Sequence, residues 1–160
     1  MNNGIVHIRI DSRLIHGQVV TQWVHTVKAT RIMIIDDNVV NHPTEKYALK
    51  MASPAGTKLS ILTEKGAIER ILQNKYAGQS VLLIVRAPSV LRALAEGGVV
   101  FDKVTVGNMS SKPGSKLIRK SVSITKDDLE DFRFLKAKGI NIVAQMIPTE
   151  HPVDFWELTK

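Results

Sequence analysis

The sequence contains no cysteine among its 160 residues. Structural disulfides, thiolate metal sites and a cysteine nucleophile are therefore excluded. The absence is consistent with a reducing cytoplasm, where disulfides are rare. No histidine and carboxylate pair has convincing metal-ligand spacing, so no metal is expected. The glycine fingerprints of Walker and dinucleotide sites are also lacking, and we expect no cofactor.

Long hydrophobic runs are missing as well. No apolar stretch approaches the roughly 20 residues that span a bilayer. The first residues, MNNGIVHIRID, have neither the basic segment nor the apolar segment of a signal peptide. We therefore expect a soluble chain, even where its partners lie in a membrane.

The composition is that of a globular protein, with 44% hydrophobic and 23% charged residues. Since the sequence has no internal repeat, low-complexity segment or linker, we expect a single domain over residues 1–160. The net charge of +7 is compatible with nucleic acid, an anionic membrane surface, an acidic protein or a phosphorylated ligand. Charge alone does not choose among them.

Short apolar runs alternate with amphipathic stretches along the chain. Strands are predicted at Ile5–Ile10, Arg31–Ile35, Lys58–Leu62, Ser80–Val85, Lys103–Val106 and Ile140–Gln145, with a further short strand within Leu117–Ile124. Helices are predicted at Gly17–Lys28, Pro43–Ala52, Glu64–Asn74, Ser89–Glu96 and Lys126–Lys138, and a short one at Val153–Leu158. The alternation predicts an α/β fold in three layers, with a mostly parallel central sheet and helices on both faces.

Ligands of such folds bind beyond the carboxyl ends of the strands, near a switch in strand order. Four predicted loops are expected at that edge: Asp11–His16, Asp36–His42, Arg86–Ser89 and Gly107–Ser115.

The first of these loops carries the most chemistry. His16 stands where a helix begins, and the free N–H groups and helix dipole there favour an anion, phosphate above all. Arg13 adds a guanidinium that can hold two phosphate oxygens. Asp11 can hydrogen-bond the imidazole or orient Arg13, and Gly17 allows a bulky group close to the backbone. On spacing alone, a capping aspartate with a surface ion pair fits the same residues.

Histidine suits a phosphoryl relay. Its ordinary pKa of about 6.5 leaves a neutral, nucleophilic nitrogen near pH 7. A phosphorylated imidazole is a reactive phosphoramidate, so the group can be passed on again. Phosphoryl transfer asks the protein mainly for positioning and charge stabilisation, which Arg13 and the helix N-terminus can supply.

The run Arg9–Val19, RIDSRLIHGQV, resembles the signature of the IIB components of the mannose/fructose/sorbose family of bacterial phosphotransferase systems. The usual form is R-I-D-(acidic or Asn)-R-L-(I/V)-H-G-Q-V. A second stretch, Gly97–Met109, resembles the family's other characteristic region through GGV and then VGNM. The length and the strand–helix order also match from end to end.

The resemblance implies a relay. A phosphohistidine on the IIA protein or domain donates to Nδ1 of His16, and phospho-His16 donates to a sugar presented by the membrane subunits IIC and IID. Arg13 maps onto the arginine that steadies the phosphoryl group, and Asp11 onto a supporting position. The chain is then expected to be a cytoplasmic protein-phosphohistidine–sugar phosphotransferase, associated with the inner face of the membrane through IIC and IID. Family members often associate, so a homo-oligomer is among the expected assemblies.

Two positions depart from the common pattern. Ser12 stands where the family often has Asp, Glu or Asn, and Asn108 where many mannose- and sorbose-type members have glycine. The Gly-Asn-Met form and Ile147–Glu150 resemble the N-acetylgalactosamine and galactosamine branch. IIB need not touch the sugar-recognition site. The resemblance therefore favours this branch without identifying the sugar.

Other residues have open alternatives. Arg86 is a candidate phosphate contact, although a solvated arginine fits equally well. Ser110 and Ser111 are candidates for a loop that closes over phospho-His16, or part of a plain glycine-bearing turn. His7, within the first strand, is predicted to be buried and hydrogen-bonded. A basic cluster of Lys112, Lys116, Arg119 and Lys120 is either a solvated face or a docking patch for an acidic IIA surface.

Two further functions fit part of the pattern. A non-catalytic α/β module would bind a nucleotide or a phosphorylated partner through the same loop, without covalent modification. A nucleic-acid-binding protein would show strongly salt-dependent binding, but the basic cluster lacks interleaved aromatic residues. Neither explains a histidine beside Arg13 at the first helix, and we expect no nucleic acid among the partners.

Overall fold

A computed structural model of the chain describes residues 3–160, which form nine strands and five α-helices. The strands are β1 Ile5–Asp11, β2 Arg31–Ile35, β3 Lys58–Leu62, β4 Val81–Val85, β5 Lys103–Asn108, β6 Lys116–Arg119, β7 Val122–Ile124, β8 Asn141–Ala144 and β9 Val153–Asp154. The helices are α1 Gly17–Val27, α2 Pro43–Ala52, α3 Glu64–Leu72, α4 Pro88–Glu96 and α5 Lys126–Ala137, with 3-10 turns at Val39–Asn41 and Phe155–Thr159.

Seven strands form the main sheet, in the order β3-β2-β4-β1-β5-β8-β9. The first six run parallel, and β9 pairs antiparallel with β8. The predicted α/β fold with a mostly parallel sheet is therefore confirmed. Strand β1 lies at the centre, between β4 and β5, so its carboxyl end opens at the middle of one sheet edge.

Two apolar clusters show that helices cover both faces of the sheet. Ile32 and Ile34 of β2 pack with α1 and α2, whereas Met33 and Ile35 pack with α3, α4 and α5. Strands β2 and β4 are nearly all apolar because side chains on both faces are buried. The three-layer architecture follows from this alternation.

Helix α5 shows how local sequence sets an element. Thr125 and Asp128 form a reciprocal capping box at its start, with both side-chain-to-backbone bonds at 3.0 Å. Gly139, with φ of 85°, follows its end in the left-handed region that terminates helices.

Three predicted elements differ in the structure. Strand β5 extends to Asn108, so Gly107 and Asn108 belong to the sheet rather than to the following loop. Residues 116–124 form an antiparallel hairpin of β6 and β7 instead of one strand, turning at Ser121 with φ of 70°. The terminal helix predicted at Val153–Leu158 is instead strand β9 followed by a 3-10 turn. Short apolar runs fit either period, and tertiary pairing decides.

The hairpin is joined to the main sheet through Met109. Its N–H donates to the Ser121 carbonyl, and its carbonyl accepts from the Ser123 N–H, each at 2.8 Å. This ladder fixes the base of the loop that follows β5.

None of the helices within residues 3–160 is long and apolar enough to cross a membrane.

Candidate functional site

The site lies where β1, β4 and β5 end side by side. The Asp11–His16 loop follows β1, Arg86 follows β4, and Asn108 ends β5. Because parallel strands share one carboxyl edge, these segments meet as the sequence predicts.

Asp11 orients Arg13 in the structure. The Asp11 side chain is completely buried, and its Oδ1 accepts from the Arg13 backbone N–H at 2.9 Å and from Nε at 3.0 Å. Arg13 Nη2 donates to Asp11 Oδ2, also at 3.0 Å. This two-bond fork fixes the guanidinium plane. The Arg13 side chain stays 29% exposed, and its Nη1 makes no hydrogen bond within residues 3–160. From the sequence, Asp11 could either hydrogen-bond the His16 imidazole or orient Arg13. The observed contacts are those of a residue that orients Arg13.

The loop reaches helix α1 through two left-handed residues. Leu14 has φ of 60° although it is not glycine, and its side chain is fully buried in the cluster beneath α1 and α2. Gly17 has φ of 50°, and a Cβ at that position would meet nothing within 4 Å. Strained backbone of this kind persists only where packing holds it. Leu14 therefore anchors the loop while the space above Gly17 stays open.

His16 occupies the N-cap position of α1, and its side chain is exposed. Its backbone is extended, and its ring makes no capping hydrogen bond. The first turn of α1 has no acidic residue. As far as the described residues go, the first N–H groups of α1 have no side-chain acceptor, which leaves them available to an anion.

A second loop is joined to the first through Ser12. The Ser12 hydroxyl donates to Asn108 Oδ1 at 2.9 Å and accepts from the Ser110 backbone N–H at 3.0 Å. The two serine hydroxyls lie 2.7 Å apart. Ser111 is exposed and makes no hydrogen bond within the described part of the chain. The two positions noted above as departures from the family pattern, Ser12 and Asn108, are thus direct partners.

Arg86 ties three segments together. Its Nη1 donates to the Ser12 carbonyl at 2.8 Å, its Nε donates to Asp36 Oδ2 at 3.1 Å, and its Nη2 pairs with Glu45. These bonds engage its donors in holding the loops after β1 and β2. Direct contact of Arg86 with phosphate stays a prediction.

Two members of the basic cluster are paired. Lys112 lies 3.6 Å from Asp128, and Arg119 pairs with Glu150. Lys116 and Lys120 are exposed on the hairpin beside the site.

Arg9 lies at the site, although no role for it was predicted from the sequence. It is completely buried beneath α1, and its Nη2 lies 3.4 Å from Asp11 Oδ2. The signal was present in β1, where polar His7, Arg9 and Asp11 alternate with apolar Ile8 and Ile10. Alternate residues of a strand share a face, so these three polar side chains lie together, and the central place of β1 buries Arg9 and Asp11.

His7 stacks on the Trp23 ring, with centroids 4.4 Å apart. Its Nε2 is buried without a hydrogen-bond partner within residues 3–160, so the predicted hydrogen bond is not found at that atom. Burial, then the nearby Arg9 and Lys103 charges, lower the pKa of His7 to about 4. His7 is thus a half-buried side chain, rather than the fully buried one predicted, and it is neutral at neutral pH.

No three His, Cys, Asp or Glu side chains between residues 3 and 160 cluster in a way that would hold a metal ion.

Comparisons with known proteins agree on one family. The model of the PTS system sorbose subfamily IIB component matches residues 5–160. The N-acetylgalactosamine-specific phosphotransferase enzyme IIB component 2 of Escherichia coli K12 is 34% identical over 154 residues, covering 96% of this chain and 98% of that protein. The IIBSor domain of the sorbose permease from Klebsiella pneumoniae superposes with a TM-score of 0.93 at 29% identity, covering 97% of this chain and 95% of that chain.

A longer relative contains a similar segment. The mannose-specific EIIAB component of Escherichia coli K12 is 33% identical over 150 residues, which cover 94% of this chain and 46% of that protein. The chain therefore spans about half the length of the mannose-specific relatives it matches. The family resemblance of the Arg9–Val19 run is confirmed by these matches, and the chain belongs to the sorbose subfamily of phosphotransferase-system IIB components.

Proposed function

We propose that the chain is a phosphoryl carrier that accepts a phosphoryl group from a IIA phosphohistidine onto Nδ1 of His16. Phospho-His16 then donates the group to a sugar presented by the membrane subunits IIC and IID, at the cytoplasmic face. One observation carries the proposal. An exposed histidine stands at the uncapped N-terminus of α1, three residues after an arginine clamped by a buried aspartate.

The arrangement suits transfer between two imidazoles. Nδ1 of His16 attacks phosphorus while the P–N bond to the donor ring breaks. The His16 ring gives up its Nε2 proton and the donor ring takes up one, so the donor leaves as neutral imidazole. In the second transfer a sugar hydroxyl attacks phosphorus as the P–N bond to His16 breaks, and the proton lost by the hydroxyl is replaced by one on the His16 ring, which leaves as neutral imidazole. Arg13 and the free N–H groups of α1 would stabilise charge on the transferring oxygens in both steps. The same groups serve both steps because the phosphoryl group occupies the same position.

Family membership supports a sugar as the final acceptor of the phosphoryl group. The IIB relatives carry names that refer to sorbose, mannose, fructose and N-acetylgalactosamine systems. The identities of the N-acetylgalactosamine and mannose relatives differ by one percentage point, 34% against 33%. Assignment of the chain to the N-acetylgalactosamine branch therefore stays a prediction.

The test is reconstitution of the relay. The protein is incubated with phosphoenolpyruvate, enzyme I, HPr and a cognate IIA, and its intact mass and the acid lability of any gain are measured. We expect one acid-labile phosphoryl group, which His16→Ala abolishes. His25→Ala is the matched control, since His25 is exposed on the same helix. Absence of label in the wild type with a verified donor would refute the relay, and phosphate affinity without label would favour a non-catalytic module.

Arg13 is tested in the same reaction. Arg13→Ala should slow phosphorylation of His16 by about a hundredfold to a thousandfold, the range found when a charge-stabilising donor is removed. Its far-ultraviolet circular dichroism should match the wild type, because the side chain lies at the surface end of the site. Unchanged transfer kinetics would remove Arg13 from the mechanism.

A further inference from the structure

We infer that Arg9 is a positioning residue for this transfer, acting through Asp11 on the guanidinium of Arg13. The inference rests on the proposed function, since it assigns Arg9 to the same step.

The contacts place one carboxylate between two guanidinium groups. Asp11 Oδ2 accepts from Arg13 Nη2 at 3.0 Å on the solvent side and lies 3.4 Å from Arg9 Nη2 on the buried side. Arg9 and Asp11 are both 0% exposed, whereas Arg13 is 29% exposed. A buried cation behind the carboxylate therefore opposes any outward movement of Asp11 with Arg13.

Arg9 itself is held from several sides. Its Nη1 donates to the Gln145 carbonyl at 3.1 Å, and its guanidinium lies 5.6 Å from the Trp23 ring centroid. Trp23 Nε1 donates to the Met146 carbonyl at 3.0 Å, which fixes the segment that Arg9 contacts. Met146 Sδ lies 3.5 Å from Arg9 Nη2 and 3.8 Å from Arg13 Nη2. Both arginines thus share neighbours as well as a carboxylate.

Gly107 makes room for this arrangement. A Cβ at that position would lie 2.2 Å from Arg9 Cζ and from Nη2, closer than any real contact. The backbone of β5 therefore lies directly against the guanidinium plane. Any side chain at position 107 would displace Arg9.

The cost of burying a charge argues for a positional role. An isolated buried guanidinium is unfavourable, and apolar replacements of buried ion pairs are often neutral or stabilising. Burial lowers the pKa of Arg9, and the Asp11 charge opposes that shift. For stability alone, an apolar residue would serve in this position. A carboxylate held in place would, in contrast, fix the Arg13 guanidinium. Small displacements of a catalytic group greatly slow the reaction.

The experiment is a double-mutant cycle on the rate of His16 phosphorylation. Arg9→Met should slow the rate on the order of tenfold to a hundredfold, and it should have no further effect in an Arg13→Ala background. Multiplying effects in the double variant would overturn the inference, because Arg9 would then act independently of Arg13. An unchanged rate in folded Arg9→Met would overturn it too.

Gly107→Ala gives a second route that keeps the Arg9 charge. It should slow transfer in the wild type and have a smaller effect in the Arg9→Met background, where the clashing group is gone. Equal effects in both backgrounds would contradict the inference. If Arg9→Met does not fold, an unchanged transfer rate in folded Gly107→Ala would overturn the inference by itself.

A readout independent of transfer separates this inference from the proposed function. The Hε proton of Arg13, donated to Asp11 at 3.0 Å, should exchange slowly in the wild type and faster in Arg9→Met by NMR. Slow exchange in both proteins would refute positioning even where transfer is observed. Failure of wild-type phosphorylation would refute the relay while leaving this readout intact. Arg31→Met is the matched control, because Arg31 also lies in a strand beside an aromatic ring, Tyr76, at 5.7 Å.

Discussion

Neutral His7 should make the stability of the protein fall in mild acid. Its pKa is about 4 in the folded state, against an ordinary value of 6.5. Between those values the unfolded chain binds a proton that the folded protein does not, so stability is complete above pH 6.5 and is lost as pH falls toward 4. Each unit of difference corresponds to about 1.4 kcal/mol.

The expected loss follows from that difference. From pH 7.5 to pH 5 the contribution of His7 falls by about 2 kcal/mol, and it approaches about 3 kcal/mol below pH 4. His7→Phe removes the titrating group and keeps a ring to stack on Trp23, which lies 4.4 Å away. Other groups titrate alike in both proteins, so the difference between the two pH dependences isolates His7.

The assay is urea denaturation of wild type and His7→Phe at pH 7.5 and pH 5. The wild type should lose about 2 kcal/mol more than the variant between the two conditions. The ring signals of His7 should also stay in one place in NMR spectra over that range. Equal losses in the two proteins, or a His7 ring that titrates above pH 5, would refute the reasoning.

Three further predictions use the same denaturation assay at pH 7.5. Thr125→Ala removes the capping hydroxyl of α5 and should cost about 1 kcal/mol; a cost no larger than that of Thr44→Ala, at an exposed position, would contradict the cap. Leu14→Ala should cost about 2 to 5 kcal/mol of stability because Leu14 is fully buried. The control Leu72→Ala, at a position 52% exposed, should cost under about 1 kcal/mol. Similar costs for the two variants would refute the anchoring role of Leu14. Gly17→Ala should cost about 1 kcal/mol through its left-handed backbone, and a stabilising effect would refute that strain.

The parts of the fold that the sequence predicted well are the short apolar runs with clear polar boundaries. Strands β2 and β4 are continuous apolar runs with polar ends, and their bounds were predicted to within a residue. The hairpin of β6 and β7 was not predicted. Its short strands join the sheet through hydrogen bonds to Met109, and that pairing leaves no hydrophobic pattern in the local sequence. Tertiary pairing, not propensity, decided its form.

The site divides in the same way. The site residues Asp11, Arg13 and His16 were predicted together because they lie within six residues of one another, so that their combined chemistry is evident from the sequence. The contacts of Arg9 were not, because Gln145 lies 136 residues away and reaches it only through the strand order β1-β5-β8. Likewise, Arg86 reaches the Ser12 carbonyl across 74 residues. Sequence alone does not specify which strands are neighbours.

The hairpin after β5 offers a place to attach a reporter. Its base is braced by the Met109 ladder, while Pro113 and Gly114 at the turn before β6 are exposed. Exposed loop tips tolerate insertions and labels better than braced backbone does. A fluorophore on a cysteine introduced at residue 113 would be the sole thiol in the chain. It would lie in the loop whose Ser110 contacts Ser12, and its emission would let the binding of successive partners be followed in real time.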